Sequence, residues 1–127
     1  MRAALLVGLG GFLGSMGRWA LAGLAQRLAP GSFFPVGTLA VNVVGCLAIG
    51  AAYGLADARG VLSPETRAFV VAGVLGGFTT FSAFGYETMA LLKDAELARA
   101  AVNILLHIIL GLAAVWLGDL MARGLHA

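Results

Sequence analysis

Charge is scarce in this 127-residue chain: eight Lys and Arg with six Asp and Glu make up 11% of it, against about a quarter in an ordinary soluble domain. A soluble domain of this size buries only about two-thirds of its surface and must cover the rest with polar groups. Too few are present, because 61% of the residues are hydrophobic and another 19 are glycine. The single cysteine, Cys46, excludes an intrachain disulfide framework and offers no spacing for a metal cluster. Prolines number three, Pro30, Pro35 and Pro64, and all lie between or at the starts of long apolar runs, where a missing N–H costs little. A net charge of +2, scattered along the chain, argues against nucleic acid as a partner. The acidic residues Asp57, Glu65, Glu87, Asp94, Glu96 and Asp119 sit near the ends of apolar runs and form no readable catalytic set, so an enzyme is not expected.

What remains is apolar sequence in long uncharged stretches. These run from Ala3 to Gln26, interrupted only by Arg18, then Leu28 to Ala56, Ala68 to Tyr86 and Ala100 to Gly118. Each reaches the length of about 18 residues that crosses the hydrocarbon core as a helix. The pattern predicts an all-α membrane protein, one four-helix transmembrane domain over residues 1–127, with helices near 3–27, 35–56, 65–92 and 98–122. Continuous rather than alternating hydrophobicity disfavours a transmembrane β-barrel. Ser63 followed by Pro64 reads as an N-cap and first-turn proline opening the third helix. The N-terminal stretch has the outline of a signal peptide, but three later spans and no exported domain make that a poor reading.

Lysine and arginine asymmetry sets membrane orientation, and here it is almost absent. Arg2, Arg59, Arg67 and Arg123 fall on one side; Arg27, Lys93 and Arg99 fall on the other, joined by Arg18 if it reaches that interface. The tally predicts dual topology, with an antiparallel homodimer as its natural product; a single orientation fixed by one loop or by the insertion machinery is the alternative.

Within the spans, Gly10 and Gly14, Gly50 and Gly54, and Gly73 and Gly77 form G-x-x-x-G pairs, which permit close helix packing. Thr38 and Asn42 share a face of the second helix, as do Asn103, His107 and Gly111 on the fourth. Interhelical hydrogen bonding explains either stripe alone; two together make an ion-conducting path credible. His107 has no second His, Cys or carboxylate near it in sequence, so it does not indicate a metal site. In the third helix, Gly76-Gly77-Phe78-Thr79-Thr80-Phe81-Ser82 places two glycines and three hydroxyl residues at mid-span. That composition predicts a break whose freed carbonyls need a partner other than lipid, such as a cation. Phe78, Phe81 and Phe84 follow at i+3 steps, with Glu87 one step further, as either a packing surface or the lining of a path. Arg18, about 24 Å into the first helix at the helical rise, either snorkels to the far interface or stays buried and attracts an anion.

These residues resemble the Fluc (CrcB) family of bacterial fluoride channels over essentially the whole chain. The likeness runs through Gly10-Gly11, Gly14 and Arg18-Trp19, then Gly37-Thr38-Leu39 with Val41-Asn42 and Gly45, then Gly76-Gly77-Phe78-Thr79-Thr80-Phe81-Ser82-Ala83-Phe84. The resemblance implies a dual-topology dimer in the bacterial inner membrane, with two antiparallel pores through which fluoride leaves the cell passively. It implies a structural sodium ion at the dimer interface, held by the main-chain carbonyls of Gly76 and Thr79. Asn42, Phe81 and Phe84 would line the ion route, with Thr38 on the same polar path. Thr80, Ser82 and Glu87 would support it, and Arg18 would stand near a vestibule. The fourth helix departs from the family: Asn103 stands where tyrosine is common and His107 where serine is common. Both fall on the polar track, and histidine titrates near neutrality, so the departure implies pH-dependent conduction.

Two other classes are open. A small dual-topology multidrug transporter needs a carboxylate embedded in its first helix for proton exchange, and no acidic residue precedes Asp57. A non-transporting membrane assembly subunit would need only the packing glycines, and leaves the polar stripes unexplained.

Overall fold

The computed structural model describes residues 1–60 and 62–124, apart from the side chains of residues 58 and 59, so the side chain of Arg59 in the charge tally lies outside the described residues. Helix α1 covers Arg2–Leu28, α2 Val36–Arg59, and α3 Pro64–Arg67, which passes into a π-helical stretch, Ala68–Leu75. One further turn, α4 (Gly76–Phe78), precedes two extended residues; α5 (Phe81–Lys93) and α6 (Leu97–Gly124) complete the chain. By length and composition four helical segments can cross a membrane: α1, α2, the composite Pro64–Lys93, and α6. Their apolar side chains find few partners within one chain: Trp19, Phe81, Leu112 and Trp116 are all exposed. In lipid, or against a second protein surface, this is the expected arrangement, because nothing drives large apolar groups inward there.

Small residues join the helices instead. Helix α1 lies against the first half of the third span. There a β-carbon at Gly10 would come 2.9 Å from the Gly73 Cα, and one at Gly77 would come 2.9 Å from the Gly11 Cα. Helix α2 lies along α6, where a β-carbon at Gly54 would meet Ala122 Cβ at 2.9 Å and one at Gly118 would meet the Ala51 nitrogen at 2.8 Å. The three G-x-x-x-G pairs thus serve two seams, α1 with the third span and α2 with α6. Side chains there would hold the backbones apart and forfeit dispersion contacts along the whole seam.

The ends follow local chemistry. Ser63 caps α3, its Oγ accepting from the Thr66 N–H at 3.1 Å, with Pro64 in the first turn. Helix α5 closes with the Glu96 N–H donating to Leu91 O (2.9 Å) and the Ala95 N–H donating to Leu92 O (3.1 Å). This is a Schellman arrangement, and it places Ala95 at φ 58°, where glycine is usual. Relief of that left-handed strain makes Ala95→Gly stabilising by about 1 kcal/mol, to be read as a raised unfolding midpoint of purified protein in detergent.

Candidate functional site

The chemistry concentrates where the third span stops being helical. Thr79 (φ −81°, ψ 156°) and Thr80 (φ −150°, ψ 110°) are extended between α4 and α5. In a continuous helix the Thr80 N–H would bond to Gly76 O; here it donates to Asn42 Oδ1 at 2.8 Å. The Asn42 Nδ2 in turn donates to Thr80 O at 3.0 Å. One carboxamide on α2 therefore satisfies both backbone groups of an extended residue at mid-span, where lipid cannot do so. The Ala83 N–H, which a helix would give to Thr79 O, instead donates to Thr80 Oγ1 at 3.2 Å, an N-cap for α5. The carbonyls of Gly76 and Thr79 are thereby released from their helical donors. Arg18, half-buried on α1, directs Nη1 toward Thr79 O in a long contact of 3.4 Å. The guanidinium points at the mid-span interruption.

Two grooves meet at Thr80. The larger, about 590 Å³, is walled by Asn42, Phe81, Phe84 and His107 with apolar side chains of α2 and α6. The second, about 500 Å³, carries Arg18, Thr38, Ser82 and Thr80. Thr38 and Asn42, which share a helical face in sequence, thus open on different grooves. Phe81 and Phe84 stack at 5.4 Å between centroids, tilted by 53°, and Phe84 meets the His107 ring at 4.4 Å. Ring edges carry partial positive charge, and both phenylalanines line the large groove.

Some expected positions lie elsewhere. Phe78 is not part of the aromatic pair: the extended residues after it break the i+3 spacing, and its ring packs where β-carbons on Gly17 and Gly45 would touch it. Asn103 is fully buried, its Nδ2 donating to Thr88 Oγ1 at 2.9 Å, and does not face the large groove. Glu87 accepts from Thr38 Oγ1 at 2.6 Å and lines a third, smaller groove with Gln26 and Asp94. Thr88 is the residue that sequence reading missed: buried, it links Phe84 O (2.7 Å) to Asn103 and so ties α5 to α6. Nothing in its spacing distinguishes it from a helix-surface threonine. Among the described residues, no group of three or more His, Cys, Asp or Glu side chains could hold a metal; main-chain carbonyls are the available oxygen ligands.

Residues 5–119 match the family described as CrcB-like protein, Camphor Resistance (CrcB). Curated relatives are similar over nearly their full lengths. A protein of Methylobacillus flagellatus is 46% identical over 93% of this chain and 92% of its own. One of Opitutus terrae is 46% identical over 100% of this chain and 97% of its own. One of Paracoccus denitrificans is 48% identical over 97% and 96%. Each of the three is named a fluoride-specific ion channel, FluC. By the match over 5–119 and these full-length relatives, the chain belongs to the CrcB family.

Proposed function

We propose that the chain is a fluoride-selective channel which lets fluoride leave the cytoplasm passively, working as an antiparallel homodimer with two pores in the bacterial inner membrane. The observation that carries this reading is the Asn42 clamp on Thr80, beside the exposed ring of Phe81, in a chain whose full-length relatives bear the name of that activity. Phe81 is 83% exposed in one chain. A ring beside a mostly apolar groove at mid-span is suited to cover by a second copy, which would close the open groove into a passage.

The chemistry asks for no bond to be made or broken, so no nucleophile or acid–base pair is needed. Fluoride must exchange water for contacts strong enough to admit it and weak enough to release it. Asn42 spends one Nδ2 hydrogen on Thr80 O and retains a second donor for an anion. The edges of Phe81 and Phe84 supply weak positive potential without a trapping charge. Arg18, Thr38 and Ser82 line the second groove, where a positive side chain raises the local anion concentration.

The carbonyls of Gly76 and Thr79 suit a sodium ion. Both have lost their helical donors, and carbonyl oxygens are the ligands that hard cations prefer. Two copies would together offer four such oxygens. Arg18 at Thr79 O occupies one of two lone pairs and leaves the other. Bound sodium would supply positive charge next to the anion route; Asn42 holds the extended backbone open for it.

The test is fluoride-electrode efflux from liposomes containing the purified protein. Fluoride efflux well above protein-free vesicles, with no matching chloride efflux, is expected. Replacing sodium by a bulky organic cation on both sides should depress it. Equal chloride flux, or none for either ion, would return the chain to a packing role in a membrane assembly.

A further inference from the structure

Resting on the channel reading, we propose that His107 is a proton-controlled fluoride ligand: it offers the large groove a hydrogen-bond donor only when its imidazole carries both ring protons. His107 Nδ1 lies 3.0 Å from the main-chain oxygen of Asn103. A carbonyl only accepts, so the hydrogen of that bond belongs to Nδ1. In the neutral ring, Nε2 is then left with a lone pair. Nε2 is buried with no partner, on a ring that stacks on Phe84 and lines the same groove as Asn42 and Phe81. A lone pair there repels an anion. Protonation reverses this, since Nε2 becomes a charged donor, and hydrogen bonds from charged donors are about twice as strong as neutral ones.

The surroundings favour one outcome for the added proton. Among the described residues the other buried side-chain atoms without partners, Glu87 Oε2 and Asn103 Oδ1, are both acceptors in their ordinary forms. Two elements pack on α6 near His107. Helix α5 contributes Glu87, and α2 contributes Cys46 to the groove wall. On α6 itself no charged residue lies between Arg99 and Asp119. Arg18 of α1 opens on the second groove. No lysine or arginine therefore lines the large groove, and a protonated His107 would be its one cationic donor. A serine hydroxyl at this position would donate at any pH; the histidine makes donation conditional.

The experiment uses full-length protein in lipid bilayers. His126 is the other histidine, so a His126→Gln background leaves a single imidazole for nitrogen NMR. At fixed, mildly alkaline pH, replacing gluconate by fluoride should weaken the signal of the unprotonated ring nitrogen, because fluoride selects the doubly protonated ring. In voltage-driven liposome flux corrected for protein-free leak, fluoride conduction should fall about tenfold per pH unit once the neutral ring dominates. His107→Ser and His107→Gln should both flatten that profile, and Glu87→Gln, which removes a nearby negative charge, should displace it without flattening it. A spectrum indifferent to fluoride, or a pH profile flattened by Glu87→Gln and kept by His107→Ser, would overturn the proposal while leaving the channel intact. Absence of fluoride flux in every variant at every pH would overturn the channel reading, and this one with it.

Discussion

Asn42→Asp is expected to abolish fluoride flux while the protein still folds. The substitution is nearly isosteric, and one carboxylate oxygen can still accept from the Thr80 N–H, as Oδ1 does now at 2.8 Å. The other oxygen then faces Thr80 O, where Nδ2 now donates at 3.0 Å, and two acceptors cannot share a hydrogen bond. A carboxylate also stands where an anion must pass. At an effective dielectric constant of about 20, two like charges about 4 Å apart cost about 4 kcal/mol, or roughly a thousandfold in local occupancy. Asn42→Ala is expected to be worse for the fold. It leaves the N–H and C=O of Thr80 unpaired, each costing about 1–3 kcal/mol, with the lower figure applying where groove water can substitute. Fluoride-electrode flux and size-exclusion profiles separate the two effects. A fully active Asn42→Asp would show that the carboxamide only braces the backbone.

Gly14→Val is expected to prevent folding, whereas Gly8→Val is tolerated, although both glycines belong to α1. A β-carbon at Gly14 would collide with the Val74 carbonyl oxygen and come 2.8 Å from the Phe78 nitrogen. Both are backbone atoms of the third span, immediately before its extended residues. They cannot rotate away as a side-chain end could, so the helices must separate. Overpacking of an ordinary core costs about 1–3 kcal/mol. Parting this seam also costs its dispersion contacts and disturbs the segment that Asn42 clamps. At Gly8 a β-carbon meets nothing within 4 Å. The yield of monodisperse protein and its unfolding midpoint decide the matter. A well-behaved Gly14→Val would mean that α1 does not lie on the third span as the structure has it.

The four spans were legible because lipid imposes a coarse requirement, about eighteen apolar residues between charges, which composition alone can meet or fail. The unusual content of Gly76 to Ser82 was legible too, since glycines and hydroxyls at mid-span contradict an uninterrupted lipid-facing helix. The i+3 spacing of Phe78, Phe81 and Phe84 does not carry through to one shared face. Period arguments assume a continuous helix, and two extended residues reset the phase between the first ring and the other two. Asn42 read as a polar residue on a stripe that suits either interhelical hydrogen bonding or an ion path. Its partner is 38 residues away, and no local pattern reports that half of its hydrogen-bonding capacity is spent on another helix.

Sequence by itself determined that the chain lives in a membrane, that small residues must be where its helices meet, and which residue types could attend an anion. These are statements about composition and local period, and the solvent enforces them residue by residue. Only the tertiary structure decided that Gly10 and Gly14 face the third span while Gly50 and Gly54 face α6. It likewise decided that Thr38 and Asn42 part company into two grooves, and that the His107 ring lines the larger one. Those outcomes depend on which backbone groups remain unpaired once the helices are in contact, and that is settled only when distant segments meet.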